Sequence, residues 1–197
     1  MKISYILVLV AILFVFAGST SIAAGKKIGS ITITNGSIRS VHKFGYVDGA
    51  TKCIDPSLDE EELPPKPPQG LFDARFREPS CPSDMLGMMN DYHGSCNSPG
   101  TKDTFYLDLQ SGDLQSPMVI SWHPDSLRQF GKLIMKDPYT GKLIHINMHK
   151  DSSLTLPPNS PISTVLIISY CTKKNIQTSL PDFEERDTPG RIFRGKD

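Results

Sequence analysis

Three groups of side chains in this 197-residue chain have types and spacing that invite chemistry. Asp48, Asp55, Asp59, Glu60, Glu61 and Glu62 crowd into one turn-rich stretch. Several carboxylate and carbonyl oxygens are what a hard cation such as Ca²⁺ requires. The spacing is not the D-x-D-x-D-G of an EF-hand loop. The expectation is therefore a solvated acidic loop, with Asp48 and Asp55 the first residues to test as Ca²⁺ ligands. Met85, Met88, Met89 and His93 offer thioether and imidazole donors of the kind Cu(I) prefers, although methionine at such spacing is also ordinary apolar filling. His145 and His149 share one face of an extended segment. Four residues of strand hold them about 13 Å apart, too far to share a metal through bonds of about 2 Å.

Patterns for covalent catalysis are weaker. His93-Gly94-Ser95 and His123-Pro124-Asp125 supply the residue types of a hydrolase, but the chain has no G-x-S-x-G elbow and no H-E-x-x-H. Adjacent carboxylates at Glu60 to Glu62 do not define the paired separation that glycoside hydrolysis uses. The expectation is no catalytic residue and no enzyme. Tyr46, Tyr92, Tyr106, Tyr139 and Phe130 could form an aromatic platform for a sugar, and Tyr106, on the outer face of its strand, is the candidate ligand-binding residue.

The compartment follows from the N-terminus and the cysteines. Lys2, the apolar run Ile3 to Ala17 and the small residues through Ala24 read as a signal peptide over 1–24, with cleavage after Ala23 or Ala24. The apolar run is shorter than the roughly 20 residues that span a bilayer, and no second such run follows. Lys plus Arg and Asp plus Glu each number 21. That balance argues against nucleic acid or anionic lipid as a partner, since both need clustered positive charge. Four cysteines in an exported chain imply two disulfides with three pairings open. Cys81–Cys96, closing a polar loop, and Cys53–Cys171, tying the chain to its last strand, form the favoured pairing.

The rest reads as strands. Ile31 and Ile33 alternate with Thr32 and Thr34, and Asn35-Gly36 then joins this segment to Ile38–Phe44 as a hairpin. Phe72, Ala74 and Phe76 alternate with Leu71, Asp73 and Arg75, giving a half-buried strand with a polar outer face. Further strands cover Phe105–Gln110, Met118–Trp122, Lys132–Lys136, Lys142–His149 and Ile162–Tyr170, the last apolar on both faces and so central in a sheet. Residues 78–102 read as a long disulfide-closed loop with one helical turn over Ser83–Asn90. The expected fold is all-β: an antiparallel β-sandwich, immunoglobulin- or fibronectin-like, with eight or nine strands over 25–172, Trp122 in its core and a polar tail over 173–197.

Between the acidic stretch and the first strand after it stand Pro64-Pro65 and Pro67-Pro68. This density of proline excludes helix and interior ladder and predicts a stiff extended strap from one layer to the other. Phe44-Gly45, the run Asp48 to Asp55, Glu62-Leu-Pro-Pro with Pro67-Pro68, and Phe72-Asp-Ala-Arg-Phe76 resemble a recurrent exported bacterial β-domain. Its core reads ELPPxPPxGxFDARF, and it occurs in surface and secreted proteins that often carry a type IX secretion sorting tail. Ser121-Trp122, the segment around Asp137 to Gly141 and Leu166 to Tyr170 fit the same outline. The resemblance implies a β-domain at or beyond the cell surface and no particular activity. The expected role is structural, adhesive or in assembly, through self-association or a surface polymer. A carbohydrate-binding module and a periplasmic metal-binding protein are the alternatives.

Overall fold

The computed structural model describes residues 25–82, 85–96 and 98–171. The expected signal peptide (1–24) and tail (173–197) lie outside the described residues. Among those described, ten strands form, where the sequence led us to expect eight or nine: β1 Lys26–Asn35, β2 Ile38–Val47, β3 Asp73–Phe76, β4 Asn90–His93, β5 Lys102–Gln110, β6 Met118–Trp122, β7 Lys132–Lys136, β8 His145–Asn147, β9 Ser153–Leu156 and β10 Thr164–Tyr170. One sheet has the order β4-β2-β1-β6-β9 and the other β3-β5-β10-β7-β8. All neighbouring pairs are antiparallel except β2 with β4, which run parallel.

The two sheets share one core. Ile31, Ile33, Phe44 and Ile120 from the first meet Phe105, Leu107, Leu133 and Ile167 from the second, all fully buried. Phe44 sits at the centre, 5.2 Å from the Phe105 ring and 5.4 Å from Phe130. Trp122 is buried with its indole N–H donating to the carbonyls of Met148 and Asp151, so its one polar atom is satisfied. Gly45 follows Phe44 because a Cβ there would overlap the Lys27 carbonyl oxygen of the paired strand.

The proline strap carries the chain from β2 in the first sheet to β3 in the second, as its composition predicts. Proline offers a carbonyl acceptor and no donor, so the fold must supply donors from side chains. Arg75 does so from β3. Asp73 holds the guanidinium by two bonds of 2.7 and 2.6 Å, and Nη1 then donates to Pro64 O and Leu86 O. Gln110 Nε2 on β5 donates to the carbonyls of Pro67, Pro68 and Leu71. The outer face of β3 is therefore polar, as expected, yet Arg75 is buried because the strap lies across it.

Met88 closes the same flank through the backbone. It exchanges both hydrogen bonds with Phe76, and it also bridges to Glu62. Leu63 donates to Gly87 O and Lys43 to Met89 O. Gly87 has φ +102°, and a side chain there would meet the Phe76 carbonyl at 2.7 Å. Within residues 85–90 this extended path replaces the expected helical turn, whose Ser83 and Asp84 lie outside the described residues. The reason is that Met88 gains more from a two-sided bridge and a fully buried side chain than one isolated turn supplies.

The disulfides correct the expected pairing. Cys53 joins Cys81 and Cys96 joins Cys171, with Cα–Cα separations of 5.7 and 5.6 Å. The cause is β4. Running beside β2 between Cys81 and Cys96, it carries Cys96 to the end of β10, while Cys81 stays beside the loop after β2. The turn after β7 is likewise longer than a hairpin. The Asp137 carboxylate accepts the amides of Tyr139, Gly141, Leu143 and Ile144, which shortens the expected strand 142–149 to β8.

Replacing Arg75 with Met should cost about 3–5 kcal/mol, the usual penalty for breaking a buried charge pair, measured by urea unfolding. A loss under about 0.5 kcal/mol, the range of an ordinary surface change, would contradict the pinning of the strap. Non-reducing peptide mapping should recover Cys53–Cys81 and Cys96–Cys171, with reduction costing about 2–5 kcal/mol. A peptide linking Cys81 to Cys96 would refute the register of β4.

Candidate functional site

Asp91 and His93 stand two residues apart on β4, so both side chains fall on one face of the strand. That face points inward. His93 is 1 % exposed and stacks on Phe105 of β5 with centroids 4.4 Å apart. Its Nδ1 lies 2.7 Å from Asp103 Oδ2, and Asp103 in turn receives Lys52 Nζ at 2.9 Å. On the other side of the ring, Nε2 lies 3.1 Å from Asp91 Oδ1 and 3.7 Å from Glu78 Oε2. The Asp91 contact is close but not aligned as a hydrogen bond, and neither Asp91 oxygen has a donor among the described residues. Three carboxylates thus face two cations.

Burial opposes charge on the His93 ring, but the hydrogen bond to Asp103 and the negative charges of Asp103 and Asp91 outweigh it and lift its pKa from 6.5 to about 9. Burial alone would raise Asp103, yet His93 and Lys52 bring it down to about 2. Asp91 is raised by burial, and by Glu78 and Asp103, against the pull of His93. The arrangement is a buried imidazolium held between carboxylates. Both ring nitrogens face acids, so the ring is fixed in place, and Ser95 donates its hydroxyl to Asp48 instead of to His93. Among the described residues no three His, Cys, Asp or Glu side chains converge on a point that would hold a metal. A shallow cleft of ≈ 460 Å³ opens onto this cluster, lined by His93 and Asp103 together with Lys52, Ser95, Lys102 and the Cys96–Cys171 bridge.

The residues singled out from sequence are engaged separately. Asp48 accepts the Gly25 amide and the Ser95 hydroxyl, and Asp55 accepts the Thr51 amide. Glu60, fully buried, accepts the amides of Tyr92 and Asp55. Burial raises its pKa to about 7. Glu62 accepts the Leu86 amide and Asn90 donates to Asp59 O. The acidic stretch is thus not simply solvated: it fastens the chain to β4. Of the soft donors, Met88 is in the core, Met89 is exposed and Met85 only packs against the core. His145 lies on β8, and His149 sits in the turn beyond it with Nε2 on Gly131 O. His123 is exposed, and Asp125 pairs with Arg128.

Of the aromatics, Tyr46, Tyr92 and Phe130 are buried and Tyr139 is 66 % exposed in the turn after β7. Tyr106 is half-buried on the outer face of its sheet, opposite Leu166. A cavity of ≈ 430 Å³ at the opposite end of the sandwich has an apolar floor of Leu109, Met118 and Leu156 and a polar rim including Lys66 and Gln69. No aromatic ring lines it, so it offers no stacking face for a sugar. Sequence reading missed Asp91, Asp103 and Glu78. The Asp-x-His spacing was the available signal, but it shows only that two groups share a face, not that the face is buried. The chain matches no family model, no curated protein and no solved structure.

The cluster sets a pH dependence. A group raised in the folded state stabilises fully below its ordinary pKa and loses that contribution as pH rises through the folded value. For His93 the window runs from 6.5 to about 9. Glu60 loses its contribution earlier, between 4.5 and about 7. Burial lowers His42 to about 4, so its contribution is present above 6.5 and lost as pH falls through 4. Above neutrality the His93 cluster, faced by Asp91, Asp103, Glu78 and Lys52, therefore governs. Tm should fall from pH 7 toward roughly pH 10, and His93→Gln should be less stable at pH 7 but with a flatter slope. An unchanged slope in that variant would contradict the assignment.

Proposed function

We propose that this chain is an exported, non-enzymatic β-sandwich module with a structural, adhesive or assembly role at or beyond the cell surface, of the bacterial kind that its acid–proline core resembles. The observation that carries this reading is how the reactive side chains are spent. Asp48, Asp55, Glu60, Glu62 and Asp137 all accept backbone amides of the chain itself. His93 is shut between carboxylates. Chemistry on a substrate needs groups free to act on it, whereas here the carboxylates are engaged by the chain's own amides and both His93 ring nitrogens face acids. Two disulfides with no free thiol among the described cysteines suit an oxidising compartment, and among the described residues no helix is long and apolar enough to cross a membrane.

A second reading, carbohydrate binding, draws on the half-exposed Tyr106 on the outer face of β5. Retention on insoluble polysaccharide that is lost in Tyr106→Ala would favour it over the first.

The main reading is tested by fractionating the producing cell, treating intact cells with protease and crosslinking partners. The protein should be found outside the inner membrane, oxidised and crosslinked to itself or to surface components. Reduced protein in the cytosolic fraction would contradict the proposal.

A further inference from the structure

A ten-stranded sandwich built as two open sheets has four edges, and three of them are guarded. At β4, Glu60 takes the Tyr92 amide. At β3, Met88 pairs with Phe76 while the strap covers Arg75. β8 is three residues long, lies between Lys142 and Lys150, and its Asn147 carbonyl is already taken by the amides of Lys150 and Asp151. Short length, nearby lysine and covering segments are the devices that keep edges from pairing with other chains.

β9 is also short, with Lys150 three residues before it and Pro157 directly after it, but among the described residues no covering segment bonds to its outer edge. From Ser152 to Thr172 the sequence contains no Asp, Glu, Lys, Arg or His. The register with β6 identifies which backbone groups are free. Trp122 N donates to Ser152 O, so Trp122–Ser152 is a hydrogen-bonded pair. The pattern alternates in an antiparallel ladder, which makes Ile120–Leu154 and Met118–Leu156 the next bonded pairs. The N–H and C=O of Ser153 and Thr155 therefore point away from the sheet. No backbone bond to another loop engages them among the described residues.

Resting on the assembly reading above, we infer that β9 is a self-pairing edge and that its occupant is β9 of a second copy. The sequence fits a twofold axis at Leu154. Ser153 then pairs with Thr155 of the second copy, and Thr155 with its Ser153, each pair exchanging two hydrogen bonds. Leu154, half-buried at the open flank, meets its own counterpart on the core side. On the outer face the uncharged rows Thr34–Val119–Thr155 and Thr32–Ser121–Ser153 run on into their symmetry mates, and hydroxyl pairs of this kind add to cross-strand stability. Two five-stranded sheets become one of ten strands. An edge contact of this size gives a weak, concentration-dependent dimer, and the lack of charge removes the repulsion that opposes self-pairing elsewhere on the molecule.

The test is sedimentation of the purified, disulfide-bonded protein over a wide concentration range. Wild type should move from monomer to dimer. Thr155→Pro removes only an outward donor and spares the ladder to β6, so it should weaken dimerisation at least tenfold with Tm unchanged. Thr155→Lys should do the same by like-charge repulsion across the axis, and it serves if the proline variant folds poorly. Dimerisation as tight as wild type in both variants would overturn the inference, as would a wild type that stays monomeric throughout. Either result, obtained with protein that fractionates to the cell surface, removes the β9 edge and leaves the exported-module reading standing.

Discussion

The structure turns on how a proline segment is satisfied. A strap that carries carbonyls but almost no donors cannot join a sheet, and left to water it would be a loose connector between layers. Arg75 and Gln110 reach it from the second sheet and supply the missing N–H groups. Asp73 fixes the guanidinium before it reaches the strap, so the pair two residues apart on β3 works as one unit. The DARF segment and the proline pairs are therefore two halves of one contact. What this contact does for the fold is seal one flank: with the strap in place, Gly87 to Met89 can run between the sheets and bond to both.

The acidic stretch belongs to the same arrangement. Glu60 and Glu62 end on amides of β4 and the loop before it, which places Asp91 and His93 against Asp103. The charge cluster is thus a consequence of the seal. β4 is a short strand with little apolar alternation, held by parallel pairing to β2, by Glu60 and by its own buried ion pairs. A buried pair of this type is weak evidence for net stability but costly to break in half, so it fixes position more than it adds energy. Among the described residues the opposite flank has no comparable closure: one side is tied by side chains and backbone, the other ends in the outward groups of β9.

Much of this was legible in the residues. The alternation of Ile31 and Ile33 with threonines, the apolar run ending at Tyr170 and the indole of Trp122 read directly as sheet and core, because burial on one face leaves a period of two. The strap read as a layer crossing because proline excludes other roles. What could not be read were the parts decided by partners far away in sequence. β4 carries buried Asp and His where a strand detector looks for apolar residues, and β9 is four residues of Ser, Leu and Thr. Missing β4 led directly to the wrong disulfide pairing, since its course sends Cys96 away from Cys81. The hairpin turn fell one residue late, at Gly36–Ser37, because Asn35 is committed elsewhere: its fully buried amide holds Gly112, Asp113 and Ser116. Arg75 looked exposed because nothing local announces that a segment eleven residues earlier will cover it.

The most direct measurement of the sealed flank is amide hydrogen exchange under native conditions, resolved at Leu63, Phe76 and Met88. If the strap is pinned as described, these amides exchange as slowly as those in the middle of β10 and open only with global unfolding. Exchange at the rate of a free loop at all three, with β10 still protected, would show that the two sheets hold together without the strap and would contradict the account.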